Sequence, residues 1–140
     1  MKQQYCRVTI FSLFLLLSLL TLVLYLPTAK YSFINYDDPT YILENSNVTS
    51  GLNFNNIIWA FKSGYGGNWH PLTWISHMID CKLYGLNAGG HHMTNVAFHI
   101  AASALLFLFL IQMTGAVWRS FFVASLCVAS APCRICRMDF

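Results

Sequence analysis

Two adjacent carboxylates, Asp37 and Asp38, follow a long apolar run in a chain that has five acidic residues in all. A carboxylate beside a like charge and an apolar surface has a raised pKa, because its charged form is disfavoured. Such a group can act as a general base near neutral pH. In an extended segment neighbouring side chains point to opposite faces, so at most one of the pair should face a given site. The structural alternative, which spacing alone favours, is a turn in which an aspartate caps the backbone before Pro39.

Histidines are the other side chains that could do chemistry here, and there are five: His70, His77, His91, His92 and His99. His92 and His99 are seven residues apart and therefore share one face of a helix. A bis-histidine haem usually needs one histidine from each of two facing helices, and we find no compact metal-ligand spacing. We expect a structural role for the histidines, with no metal ligands and no cofactor, and leave a divalent metal as the open alternative.

The elements that must position these groups have the composition of a membrane protein. Hydrophobic residues make up 56% of the 140-residue chain and charged residues 9%, against about 25% charged residues in a soluble domain. Residues 8–26 contain no charge and as a helix would span roughly 28 Å, close to the hydrocarbon core of a bilayer. Residues 94–113 are a second such run. The sequence therefore predicts an all-α integral membrane protein, and the scattered net charge of +3 argues against nucleic acid as a partner.

Between the two predicted spans, residues 30–92 form a segment too polar to cross a membrane. The spacing of Phe54, Ile57, Ile58 and Phe61 predicts one face of a short amphipathic helix. A second short helix is predicted over 70–87, because a proline such as Pro71 is tolerated in a first turn. We expect both helices at the membrane–water interface, with Trp59, Trp69 and Trp74 as aromatic anchors.

The basic residues near the predicted spans indicate the orientation of the chain. Lys2, Arg7 and Arg119 flank the same side of the two spans, and cytoplasmic loops carry an excess of lysine and arginine. We therefore expect a cytoplasmic N-terminus and an extracytoplasmic segment 30–92. The membrane would be the plasma membrane in a bacterium and the endoplasmic reticulum in a eukaryote.

Three stretches together resemble a known family: "FINYDDPTYILEN", "WHPLTWISHMIDCKLYGLN" and "HHMTNVAFHIAASALLFLFL". They are similar to the N-terminal part of the polyprenol-phosphate-sugar-dependent glycosyltransferases of the GT-C fold. The branch they most resemble is the protein O-mannosyltransferase-like one that includes the transmembrane-and-TPR proteins. The resemblance covers roughly residues 8–126, and we expect residues 1–126 to be the N-terminal part of a multi-span GT-C-type domain.

The resemblance implies a hexosyltransferase that moves a sugar from a lipid-linked donor to a hydroxyl acceptor, often a protein serine or threonine. Asp37 would be the general base that removes the acceptor proton, with Asp38 as the alternate. At the entry of the second span, His91 or His92 with Asn95 and His99 would cap the helix, pack against the loop or touch the donor phosphate. The partners implied are the donor lipid, the acceptor and the bilayer.

The C-terminal end does not match this pattern. Residues 120–131 begin a third span, but 127–140 resemble nothing in the family, whose second outer loop supplies a further acid. Because Met138 is ATG and the codon of Asp139 begins with G, the shifted frame reads TGG, a tryptophan that the family pattern contains. We interpret 127–140 as a frameshifted tail and expect the 140-residue fragment to be inactive. The alternative for the tail is a metal or redox element at Cys133 and Cys136.

A second function, from a different class, is compatible with the same features. The chain could be a small non-enzymatic integral membrane protein that anchors or binds a partner through its outer loop. A downstream reading frame with many further spans would favour the enzyme, whereas stops in every frame would favour the anchor.

Overall fold

The computed structural model describes residues 2–33 and 38–130, which form helices and connecting turns without a strand. Asp37 and the predicted frameshifted tail from residue 131 onward lie outside the described residues. The α-helices in chain order are α1 (Lys2–Tyr25), α2 (Ser46–Thr49), α3 (Phe54–Lys62), α4 (Pro71–Tyr84), α5 (Ala88–Thr114) and α6 (Val117–Ser130). Short helices of other types occupy Leu26–Lys30, Pro39–Leu43 and Tyr65–Gly67.

The chain divides into two compact units, one formed by Met1–Pro27 with Asn95–Phe140 and the other by Thr28–Thr94. In the first unit α1 buries Leu13, Leu17 and Thr21, which recur every fourth residue and so lie on one helix face. The hydroxyl of Thr21 donates to the carbonyl of Leu17 at 2.8 Å, which satisfies a buried polar group within the helix.

Within the described residues, two helical segments, Arg7–Lys30 and Ala88–Thr114, are long and apolar enough to cross a membrane. Their 24 and 27 residues correspond to roughly 36 and 40 Å of helix. In each, 22% of the apolar window is buried within the protein, whereas the core helix of a soluble protein would be mostly buried. Length, composition and exposure together support association with a membrane.

The second unit, Thr28–Thr94, is built around one face of α4. Trp74, Met78 and Cys81 follow the helical repeat on that face and are buried. Their buried neighbours come from the helices Pro39–Leu43, α2 and α3, which contribute Ile42, Val48 and Ala60. A core of this small size leaves little room for changes in side-chain volume.

The predicted amphipathic helix forms as α3, but its apolar face does not point inward. Phe54, Ile58 and Phe61 are 76%, 37% and 51% exposed, while Asn56 and Ala60 are buried. The amide of Asn56 donates to two oxygens of the preceding turn at 2.7 and 2.9 Å, so its burial leaves its donors satisfied. The apolar face of α3 is therefore available to a surface outside this unit.

We predict that Met78→Ala destabilises the unit Thr28–Thr94 by about 2–5 kcal/mol, since it removes a fully buried side chain and leaves a cavity. The matched control is Leu72→Ala on the same helix, where the side chain is 75% exposed. Native-state hydrogen exchange of α4 amides in detergent micelles measures both. Equal protection in the two variants would contradict the described core.

Candidate functional site

Three side chains that could ligate a metal ion meet in the unit Thr28–Thr94. His77 and Asp80 lie three residues apart on α4 and therefore project from the same side of that helix. His91 comes from the first turns of α5. One potential ligand atom of each residue lies within 4.8 Å of the other two. Asp80 and His91 are buried and His77 is partly buried.

A hydrogen bond fixes the tautomer of His91. Its Nε2 lies 3.0 Å from the carbonyl oxygen of Gly85, and because a carbonyl can only accept, Nε2 carries the proton and donates. Gly85 ends α4 with a φ of 61°, a left-handed conformation that favours glycine and aims this carbonyl. In the neutral ring Nδ1 then carries the lone pair. Nδ1 is buried, has no hydrogen-bond partner among the described residues and lies 3.8 Å from Oδ2 of Asp80.

Asp80 is 3% exposed, and a short hydrogen bond orients its carboxylate. The hydroxyl of Thr94 donates to Oδ1 at 2.7 Å. This leaves Oδ2 directed at the imidazole of His91. A buried carboxylate needs such partners, because an unpaired buried charge is costly.

The protonation states in this cluster follow from burial and from neighbouring charges. Burial lowers the pKa of His77, opposed by the charge of Asp80 and assisted by His91, so the ring is neutral at neutral pH. Asp38 also acts on this pKa and raises it, so its carboxylate lies within electrostatic range of His77. Burial, followed by the charge of Asp80, raises the pKa of Cys81 and keeps it a thiol.

An aromatic stack lies one turn before His77 on α4. Tyr41, His70 and Trp74 stack with ring centroids 4.8–5.4 Å apart. Trp74 is fully buried, so the prediction that it anchors the chain at an interface is wrong. Trp69, in contrast, is 68% exposed, and its indole N–H donates to the carbonyl of Phe61 at 2.9 Å.

The structure describes only one of the two aspartates that were predicted to act as the general base. Asp37 lies outside the described residues, whereas Asp38 immediately precedes the π-helix Pro39–Leu43. Asp38 has helical backbone angles rather than the extended ones that the sequence suggested, and its side chain makes no capping hydrogen bond to that helix. Asp38 therefore does not cap this helix through its side chain. The roles of Asp37 and Asp38 stay predictions.

The other predicted site residues all lie on α5, which begins before residue 94. His91 and His92 belong to the unit Thr28–Thr94, and Nε2 of His92 lies 3.5 Å from the carbonyl oxygen of Ser32. Asn95 and His99 belong to the other unit; Asn95 is exposed. His99 packs edge-on against Tyr25 with ring centroids 5.1 Å apart. Their predicted contact with a donor phosphate stays a prediction.

The start of α5 is held close to the preceding chain by glycine. A Cβ at Gly89 would collide with the backbone carbonyl of Ala29, and a Cβ at Gly90 would collide with the ring of Tyr84. The close approach fixes where α5 begins, and with it the position of His91. The cluster was not predicted from the sequence, because the contact of His91 with α4 depends on this turn. The only local indication of the cluster was the three-residue spacing of His77 and Asp80.

Comparison with known proteins gives one informative similarity. The chain is 36% identical over 98 residues, 65% of its length, to the protein O-mannosyl-transferase Tmtc1 of Drosophila melanogaster. The matched segment is 11% of that protein, so this chain spans about a ninth of its curated relative. No protein-family model matches the chain. No solved structure matches it either. The similarity supports a glycosyltransferase-like relationship, in agreement with the family that the sequence resembles.

We predict that Gly89→Ala displaces the first turn of α5, because the obstructing atom is backbone and cannot rotate away. Overpacking of this kind typically costs about 1–3 kcal/mol, whereas glycine to alanine in an unobstructed helix would stabilise by about 0.5–1 kcal/mol. Thermal unfolding in detergent shows whether the substitution stabilises or destabilises the protein. Gly64→Ala, which lies outside the helices and whose Cβ would meet nothing within 4 Å, is the control for an unobstructed methyl group and should not destabilise the protein. A stabilised Gly89→Ala protein would refute the close approach.

Proposed function

We propose that this chain forms the N-terminal part of a GT-C-type membrane glycosyltransferase of the protein O-mannosyltransferase-like, transmembrane-and-TPR branch. It would transfer a sugar from a polyprenol-phosphate donor to a hydroxyl, such as that of a protein serine or threonine. The observation that carries the proposal is the 36% identity to a protein O-mannosyl-transferase over 65% of the chain. The two apolar helices support a lipid-soluble donor.

In the proposed reaction an aspartate of the first outer loop removes the proton of the acceptor hydroxyl as its oxygen attacks the anomeric carbon. The bond from that carbon to the donor phosphate oxygen breaks, and the lipid phosphate leaves with the electron pair. We assign the base to Asp37 and keep Asp38 as the alternate. The site must lie just outside the bilayer, where a lipid headgroup and a polar acceptor can meet.

Among the four residues proposed for the donor phosphate, two are better placed than the others. His91 is 2% exposed and bonded to Gly85, and His99 packs against Tyr25. His92 is partly exposed and Asn95 is exposed. We therefore propose His92 and Asn95 as the residues of this group that a phosphate can reach.

The exposed apolar face of α3 supports the proposal that the short helices lie at the membrane surface. Phe54, Ile58 and Phe61 leave about half of their area uncovered, and an interfacial helix buries such a face among lipid headgroups and acyl chains. With Lys2 and Arg119 in the cytoplasm, the unit Thr28–Thr94 would be extracytoplasmic.

The orientation predicts opposite labelling of two engineered cysteines. Cys81 is a poor reporter because it is buried. All native cysteines are therefore replaced by alanine. Thr73→Cys, on the exposed side of α4, or Trp118→Cys, after α5, is then introduced. We expect a membrane-impermeant maleimide added to intact cells to label Thr73→Cys, whereas Trp118→Cys requires permeabilised cells. The reverse pattern would invert the proposed topology.

The base assignment predicts that Asp37→Asn lowers sugar transfer by about 10²–10⁴-fold, the usual contribution of a positioned general base. On the frameshift interpretation of residues 127–140, the change is made in a longer protein whose reading frame after residue 126 has been restored. Asparagine keeps the size and the accepting oxygen but cannot take a proton. Transfer is measured with a radiolabelled polyprenol-phosphate sugar at equal membrane levels of each variant.

Asp38→Asn is the matched control for this experiment. It should reduce transfer less than Asp37→Asn does, and donor binding should survive in both, because proton removal concerns the acceptor. Unimpaired transfer by Asp37→Asn would remove it as the base, and a larger loss in Asp38→Asn would move the role to Asp38.

A further inference from the structure

We propose that His77, Asp80 and His91 bind one divalent transition-metal ion, for which Zn²⁺ is the best chemical match. The inference concerns three side chains of one unit and does not rest on the proposed transferase activity. Two imidazoles and one carboxylate are a ligand set that zinc accepts, with a fourth position left to water.

The distances suit a shared ion better than they suit direct contacts. Zinc holds nitrogen and oxygen ligands at about 2.0–2.2 Å, so neighbouring ligand atoms in a tetrahedral site are roughly 3.4 Å apart. Nδ1 of His91 and Oδ2 of Asp80 are 3.8 Å apart, too long for a hydrogen bond between them. The widest separation in the cluster is at most 4.8 Å. A contraction of at most about 1.4 Å in the widest separation would bring all three atoms to one ion.

The lone pair on Nδ1 of His91 is the observation that most strongly favours a bound metal ion. With Nε2 donating to Gly85, the neutral ring presents Nδ1 as an acceptor toward Oδ2 of Asp80, which is also an acceptor. Two buried acceptors that face each other repel unless a positive charge or a proton lies between them. Nδ1 of His77 is buried as well and has no hydrogen-bond partner among the described residues. A metal ion held through Nδ1 of both rings would account for both imidazoles, whereas a proton on His91 would account for one.

The groups behind the ligands have the arrangement found around protein metal sites. A ligating histidine usually donates its other N–H to a carbonyl or carboxylate, and ligating carboxylates are themselves hydrogen-bonded. The Gly85 carbonyl fills the first role for His91, and the Thr94 hydroxyl fills the second for Asp80. His77 is only partly buried, which gives an ion a path to the site.

The test is a competition titration of the full chain in detergent micelles with Zn²⁺ against a chromophoric chelator. Cys133→Ala and Cys136→Ala are present throughout, so that the tail cannot contribute thiolate ligands. We expect one Zn²⁺ per chain. His77→Gln, Asp80→Asn and His91→Gln should each weaken binding by at least the about 10- to 100-fold that loss of an outer partner costs. His92→Gln, a neighbouring histidine outside the cluster, should bind like the parent.

Two further readouts keep the inference open to refutation if a variant folds poorly. Zn²⁺ should raise the unfolding temperature of the parent and of His92→Gln but not of His77→Gln, whose side chain is partly exposed and which should fold. Co²⁺ should give d–d absorption without thiolate charge-transfer bands. Binding that is equally tight in His77→Gln and the parent, or no stoichiometric binding by the parent, would overturn the site; neither result bears on sugar transfer.

Discussion

The packing of one face of α4 is the constraint on which the candidate site depends. Trp74, Met78 and Cys81 bury this face against the short helices before it. Burial of the face fixes the rotation of the helix about its axis, and the rotation determines where His77 and Asp80 point. A polar cluster inside a small unit is thus positioned by apolar side chains that have no chemical role.

The position of His91, the third residue of the cluster, depends on the conformation of the chain that follows α4. Gly85 adopts a left-handed conformation, and its carbonyl then accepts the N–H of His91 from the next helix. Glycine at position 89 lets the start of α5 approach the carbonyl of Ala29. Each of these contacts is local, yet together they place one imidazole beside a carboxylate that is eleven residues earlier in the chain.

Much of the helical architecture could be predicted from the sequence, since apolar periodicity, Pro71 and Gly85 mark helices and their ends. The burial of Trp74 could not, because an aromatic residue in a membrane protein is equally typical of an interface and of a core. The earlier start of α5 could not either. Two glycines disfavour a helix by propensity, and the sequence does not show the backbone approach that requires them. The cluster of His77, Asp80 and His91 depends on this turn geometry and therefore could not be predicted from residue spacing.

The burial pattern of α3 shows that the polarity of a side chain does not by itself predict whether that side chain is buried. In water an amphipathic helix buries its apolar face, but α3 buries Asn56 and Ala60 and exposes Phe54 and Phe61. The inversion costs little inside the unit, because the Asn56 amide donates two hydrogen bonds there. It would be unfavourable in a protein surrounded by water on all sides. The same arrangement is favourable where lipid covers the apolar face, which is the environment that we propose for α3.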